Sequence, residues 1–308
     1  MIVATEPTDA TADAPDTRRD RRVRAGRRWS PVNVVVAVLV LAGAGLIAYP
    51  SGATWITDLT HASTVSGYAQ AVSDSTSSEL EKMLDAARDY NEHLPDGPLR
   101  DPYTLNAEGG ADDVYEGRED YLRQLTFAPG APMARIRIPE IGVDLPIYHG
   151  TDEDTLARGV GHLYGSGLPV GGEGTHSVLT GHSGIPGASL FTRLAELDVG
   201  DEFAIDVAGE TLVYRVDETT TVLPDDGDLL RQSPGHDYVT LLTCTPTGVN
   251  THRLLVRGER IDDRTGESAQ IALPAATDAP DVPWGAIAAL IGGLAIAVSI
   301  ARPRPALP

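Results

Sequence analysis

Two uncharged apolar runs near opposite ends of the chain set the strongest constraint on its fold. Residues 32–49, VNVVVAVLVLAGAGLIAY, and Trp284–Ala301, WGAIAALIGGLAIAVSIA, contain no Asp, Glu, Lys or Arg. Each is close to the about 20 apolar residues with which a helix crosses the hydrocarbon layer while satisfying its own backbone N–H and C=O groups. Seven arginines between Arg18 and Arg28 precede the first run, and Arg302 and Arg304 follow the second. Arginine-rich flanks stay in the cytoplasm, so both termini are expected inside and the intervening chain outside. Two competing readings are a cleaved signal peptide at the first run, which also exports the chain, and a buried core helix at the second.

The expected division is therefore a basic cytoplasmic tail over residues 1–30, a transmembrane helix over 31–49, and an exported helical neck over 50–132. A β-rich domain over 133–262 follows, then a linker over 263–282, a second transmembrane helix over 283–301 and a cytoplasmic tail over 302–308. The formal charge is -20, and because so many arginines lie at the ends, the middle is more acidic than the total. Such a domain repels phosphate backbones, which excludes nucleic acid as a partner and favours cationic segments. The single cysteine, Cys244, rules out an intramolecular disulfide. In an exported domain it is a free thiol in an oxidising compartment and calls for an explanation.

Within the neck, Leu80, Met83, Leu84, Ala87 and Tyr90 recur at helical spacing after a Ser/Thr-rich start at residues 75–78. Three prolines and a glycine make residues 94–106, LPDGPLRDPYTLN, a loop, and a second short helix is expected over 114–125. From Met133 the pattern changes to short β-rich runs: 134–138, 143–148, 177–180, 202–207, 210–216, 238–243 and 252–261. Gly209 and Glu210 mark a hairpin turn, and residues 162–174 read as a glycine-rich surface loop. Many short strands at this spacing imply a mainly β domain, closed barrel or sandwich.

Three residues at the ends of these runs can carry chemistry. Cys244 ends an apolar strand, His182 follows another, and Arg253 opens a third just beyond the cysteine. A thiol nucleophile needs a group to manage the proton of the leaving amine, and a cation or other donor where the tetrahedral oxyanion forms. Each residue has a plainer role open to it: a buried small hydrophobe, a structural histidine, an arginine paired with a carboxylate.

The wording of the sequence narrows this. TLLTC over 240–244, followed by TPTGVNTHRLLVRGER, resembles the signature of the sortase family, with its Cys and nearby Arg. GTHSVLTGHSG over 174–184 resembles that family's histidine segment, and RIRIPEIGVDLPIYHGT over 135–151 extends the likeness across the β region. The resemblance implies a sortase-type closed β-barrel. It further implies that Cys244 attacks the Thr–Gly amide of an LPxTG-like sorting signal, that His182 protonates the leaving amine, and that Arg253 stabilises the oxyanion.

The pilin-polymerising class C members of the family carry an Asp-Pro-aromatic lid before the barrel, which Asp101, Pro102 and Tyr103 match in order. In that class a lysine amine of another pilin resolves the thioester, so the implied partners are LPxTG-bearing pilin or surface proteins and an acceptor lysine. The implied chemistry uses no metal or organic cofactor, and His162, His176 and His252 show no ligand spacing. Thr247 departs from the aromatic that class C relatives commonly carry there. Wall anchoring onto a peptidoglycan amine and a non-enzymatic surface module with a buried cysteine are the alternatives. A papain-like protease fits less well, because no strand-to-helix nucleophile context is visible.

Overall fold

The computed structural model describes residues 30–94, 117–185, 187–224, 226–261 and 280–302. The chain divides into two compact units, residues 1–45 with 290–308, and residues 46–289.

In the first unit the start of helix α1 (Pro31–Asp74) lies against helix α5 (Trp284–Ala301). Asn33 Nδ2 donates to the Ile300 carbonyl at 3.0 Å. Gly293 faces Ala44 so closely that a Cβ would sit 2.5 Å from the alanine methyl. Small residues at such a crossing let two apolar helices approach without a hydrophobic driving force. Each helix contains a stretch long and apolar enough to span a bilayer, which fits membrane anchoring near both termini.

The expected transmembrane helix ends at residue 49 and the neck begins at 50, whereas α1 runs unbroken through Pro50 to Asp74. Its Ser and Thr hydroxyls donate back to the carbonyls four residues earlier, as in Thr54 to Pro50 and Thr57 to Ala53. Helix α2 (Ser77–Glu92) then begins with a reciprocal capping box between Thr76 and Glu79. Its Leu84 and Ala87 are buried on the barrel, with Leu80, Met83 and Tyr90 partly so. The short helix α3 (Arg118–Arg123) lies within the second helix expected from sequence.

Eight strands form one closed barrel: β1 (Ala134–Ile138), β2 (Val143–His149), β3 (Val160–His162), β4 (His176–Thr180), β5 (Glu202–Val207), β6 (Glu210–Val222), β7 (Tyr238–Thr245) and β8 (His252–Arg260). Around the barrel the order is β1-β2-β3-β4-β7-β8-β6-β5. The β2–β3 and β4–β7 pairs are parallel and the others antiparallel. The fold is thus the mainly β closed barrel implied by the resemblance, preceded by helices. Alternating side chains split each strand between two faces. One face fills the barrel core with Ile136, Leu145, Leu179, Phe203, Leu241 and Val256. The other face, on β4, β6, β7 and β8, builds a smaller cluster of Leu163, Val178, Val222, Leu230, Leu242 and Leu255.

Two features were not legible as elements. Strand β3 is only three residues long, and helix α4 (Glu153–Arg158), N-capped by Asp152, makes the crossover that parallel β2 and β3 require. The glycine-rich segment at 162–174 is also largely buried rather than a surface loop. Asn91 on α2 exchanges two hydrogen bonds with the backbone of Leu168, and His162 and Ser166 hydrogen-bond inside it.

Candidate active site

Strand register brings the three chemistry-bearing residues to one face of the barrel. Cys244 is the penultimate residue of β7, and its antiparallel neighbour on β8 is Arg253. Directly opposed Cβ atoms on neighbouring strands lie about 4.5–5.5 Å apart. On the other flank β4 runs parallel to β7 with Thr180 beside Leu242. Past the end of β4 the backbone keeps this course, since Gly181 N–H donates to the Leu242 carbonyl at 3.0 Å and Thr243 Oγ1 donates to the Gly181 carbonyl at 2.7 Å. One residue further, the same register sets His182 beside Cys244. Alternation then places His182, Cys244 and Arg253 on the face of Leu242 and Leu255, above the small apolar cluster.

The surroundings define how much each can move. Cys244 and Arg253 are buried, at 7% and 6% exposure, while His182 is half-buried. Arg253 Nη1 donates to the carbonyls of Asn250 and His252 at 3.1 and 3.2 Å. Those bonds fix one side of the guanidinium fork. Gly181 packs flat on the Phe191 ring, where a Cβ would come within 2.7 Å of the ring, and the Phe191 N–H donates to the His182 carbonyl at 3.0 Å. Only glycine lets β4 run this close to the aromatic.

Burial pushes the His182 pKa down, and the negative charge of Glu153, in the first turn of α4, pulls it partly back. The imidazole therefore favours its neutral form more than a solvated histidine does. Glu153 was not singled out in the sequence. Its proximity comes from the crossover between two parallel strands, which periodicity alone does not show.

Along the same face, away from Cys244, a shallow pocket is lined by Glu218, Thr220, Leu229, Thr240, Leu255 and Arg257. Arg257 is held there by Asp217 at 2.6 Å and Glu218 at 2.9 Å. Of the remaining histidines named from sequence, His162 and His176 sit elsewhere, while His252 adjoins Arg253 on β8. His162 contacts Tyr121 and Gly167, His176 contacts Arg231 and Thr240, and His252 contacts Thr251. Among the described residues no group of three or more His, Cys, Asp or Glu is arranged to hold a metal ion. Asp101, Pro102 and Tyr103 lie outside the described residues. Thr247, the departure from the aromatic, is exposed on the β7–β8 turn, with its Oγ1 3.0 Å from Ser183 Oγ.

A closed barrel of this topology, with its one thiol paired across two strands with a guanidinium, is the scaffold of a cysteine transpeptidase. The family model described as "Sortase domain" matches residues 136–261. Sortase D of Bacillus subtilis (strain 168) is 27% identical over 185 residues, covering 58% of this chain and 88% of that protein. Among solved structures, sortase C-1 of Actinomyces oris is 48% identical with a TM-score of 0.56, over 60% of this chain and 99% of that one. Sortase A of Corynebacterium diphtheriae is 49% identical with a TM-score of 0.57, over 61% and 86%. The pilus-related sortase C of Group B Streptococcus is 42% identical with a TM-score of 0.57, over 63% and 95%. The chain belongs to the sortase family.

Proposed function

We propose that this sortase joins pilin subunits, with Cys244 as nucleophile, His182 as acid and base, and Arg253 as oxyanion stabiliser. The observation that carries the residue roles is the strand register, which opposes Cys244 to Arg253 and continues β4 to bring His182 alongside. A second support is compositional: a cysteine transpeptidase needs a thiol, and Cys244 is the only cysteine in the sequence.

In this mechanism the Cys244 thiolate adds to the threonine carbonyl carbon of an LPxTG-like signal. The Arg253 guanidinium donates to the oxyanion as charge develops, an effect whose loss elsewhere costs about 10²–10³ in rate. The C–N bond to glycine then breaks as His182 hands its proton to the departing amine, leaving a thioester. A neutral lysine amine adds to the thioester carbon and gives its proton to His182. The C–S bond breaks, and an isopeptide bond forms while the thiolate is restored.

The likeness to sortase C-1 of Actinomyces oris and to the pilus-related sortase C supports the lysine acceptor. Wall anchoring onto a peptidoglycan amine is the rival, given a comparable identity to a protein named sortase A. Mass spectrometry of the full chain with an LPxTG peptide and a lysine-bearing pilin fragment separates them. The expected products are a Cys244 thioester and a lysine isopeptide, both lost in Cys244→Ala. Cleavage with transfer only to a peptidoglycan-type amine would replace the pilin reading, and no thioester at all would remove the assigned roles.

The same proposal places the barrel outside the cell with both termini in the cytoplasm, on the strength of the arginine flanks. A cysteine introduced at exposed Glu173 in a Cys244→Ala background is expected to react with an impermeant maleimide on intact cells. Labelling that appears only after lysis would reverse the orientation.

A further inference from the structure

Gly181 and Thr243 tie the chain bearing His182 to the strand bearing Cys244 at the end of β4. A further link between the two chains is a pair of hydroxyls far apart in sequence. Ser183 Oγ, adjacent to His182, lies 3.0 Å from Thr247 Oγ1, on the turn three residues past Cys244. We propose that Ser183 and Thr247 form a clasp that holds the His182 loop against the β7–β8 turn, and that the clasp fixes the spacing on which proton transfer in the transpeptidation depends. The proposal rests on the roles assigned above to Cys244 and His182.

Both sides of the clasp are braced. Gly184 N–H donates to Thr192 Oγ1 at 3.0 Å, and Gly184 adopts φ +73°. A Cβ on Gly184 would lie 2.3 Å from Thr247 Cγ2. That methyl can clear only by rotation about χ1, and the rotation carries Oγ1 away from Ser183. Glycine at 184 is thus what admits threonine at 247 in the bonded rotamer.

On the other side, Val249 and Asn250 N–H groups both donate to the Pro246 carbonyl at 2.9 Å, which closes the turn. The Asn250 carbonyl in turn accepts from Arg253 Nη1 at 3.1 Å. One turn therefore touches the neighbour of His182 and the guanidinium of Arg253. Ser183 and Thr247 sit at the surface of the site and bury little, so the fold does not rest on them. Their value is geometric, because misplacing a reacting group by about 1 Å can cost as much as 10²-fold in rate. Ser183 and Thr247 are positioning residues, since neither touches the reacting atoms.

The test uses the full chain in detergent and follows thioester formation and amine transfer across pH. Thr247→Val and Ser183→Ala are each expected to lower kcat about tenfold with the peptide KM unchanged, as a small displacement of a reacting group would. The double variant is expected to be no slower than either single one, because both remove the same link. Thr247→Ser keeps the hydroxyl and restores most of the rate. Gly184→Ala is slower still, and Thr247→Ser in that background recovers part of the loss by removing the clashing methyl. Single variants with an unchanged kcat, or losses that multiply in the double variant, would overturn the clasp. Absence of a Cys244 thioester in the unmodified chain would instead sink the assigned roles, which is a separate result.

Discussion

At the scale of single residues, the question is how a histidine that burial drives toward neutrality serves as an acid. Desolvation lowers the His182 pKa and the Glu153 charge raises it. If His182 donates the proton that releases the glycine amine, then the enzyme needs that second influence. Glu153→Gln removes the charge and lets the imidazolium lose its proton more readily. The limb of the pH–rate profile on which His182 deprotonates should move to lower pH. The rate of thioester formation at neutral pH should fall about two- to fivefold, the scale of one solvent-screened charge interaction. Pre-steady-state kinetics with the sorting peptide across pH measure both quantities. A profile that does not move would show that Glu153 has no part in holding the His182 proton.

At the scale of elements, the sequence was legible wherever one residue pattern decides the outcome. Strands such as β1, β5 and β7 declare themselves because β-branched and apolar residues alternate between turns, and their neighbours merely extend them. The Ala208–Gly209 pair lies between strands whose last paired residues are Val207 and Glu210, so the turn sits one residue before the Gly209–Glu210 pair read from sequence. Both turn residues take positive φ, as a tight hairpin that follows the strand twist demands. What stayed hidden depends on partners remote in sequence. Strand β3 is too short to show a period and exists because β2 and β4 hold it on either side. Helix α1 hides its length because Pro50, Gly52 and the threonines that follow look like an interruption. The site divides the same way. His182, Cys244 and Arg253 stood out by residue type and wording, while Glu153 required the β2–β3 crossover and the Ser183–Thr247 link the register of β4 against β7. No local pattern encodes that register.

At the scale of the whole molecule, the barrel is closed over a buried histidine, and this ties its stability to acidity. His162 has no solvent exposure, and burial pushes its pKa down to about 4. Its Nε2–H donates to the Gly167 carbonyl at 2.8 Å, which leaves Nδ1 to accept from the Tyr121 hydroxyl at 3.0 Å. The neutral ring thereby joins α3, β3 and the 162–174 segment through one set of bonds. An unfolded chain binds a proton at His162 once the pH falls below about 6.5, whereas the folded barrel resists until about 4. Between those values the unfolded state holds more protons, so stability is complete above about pH 6.5 and drains away as the pH falls, by up to about 3 kcal/mol. His149 and His176 shift in the same direction through burial and steepen the loss. Urea midpoints of the full chain, followed by protease resistance of the barrel, should therefore drop between pH 7.5 and pH 4.5. In His162→Gln the starting stability is lower but the slope across that interval is shallower, because the titrating group is gone. If the variant keeps the slope of the unmodified chain, the acid sensitivity belongs to other groups and His162 is only a packing residue.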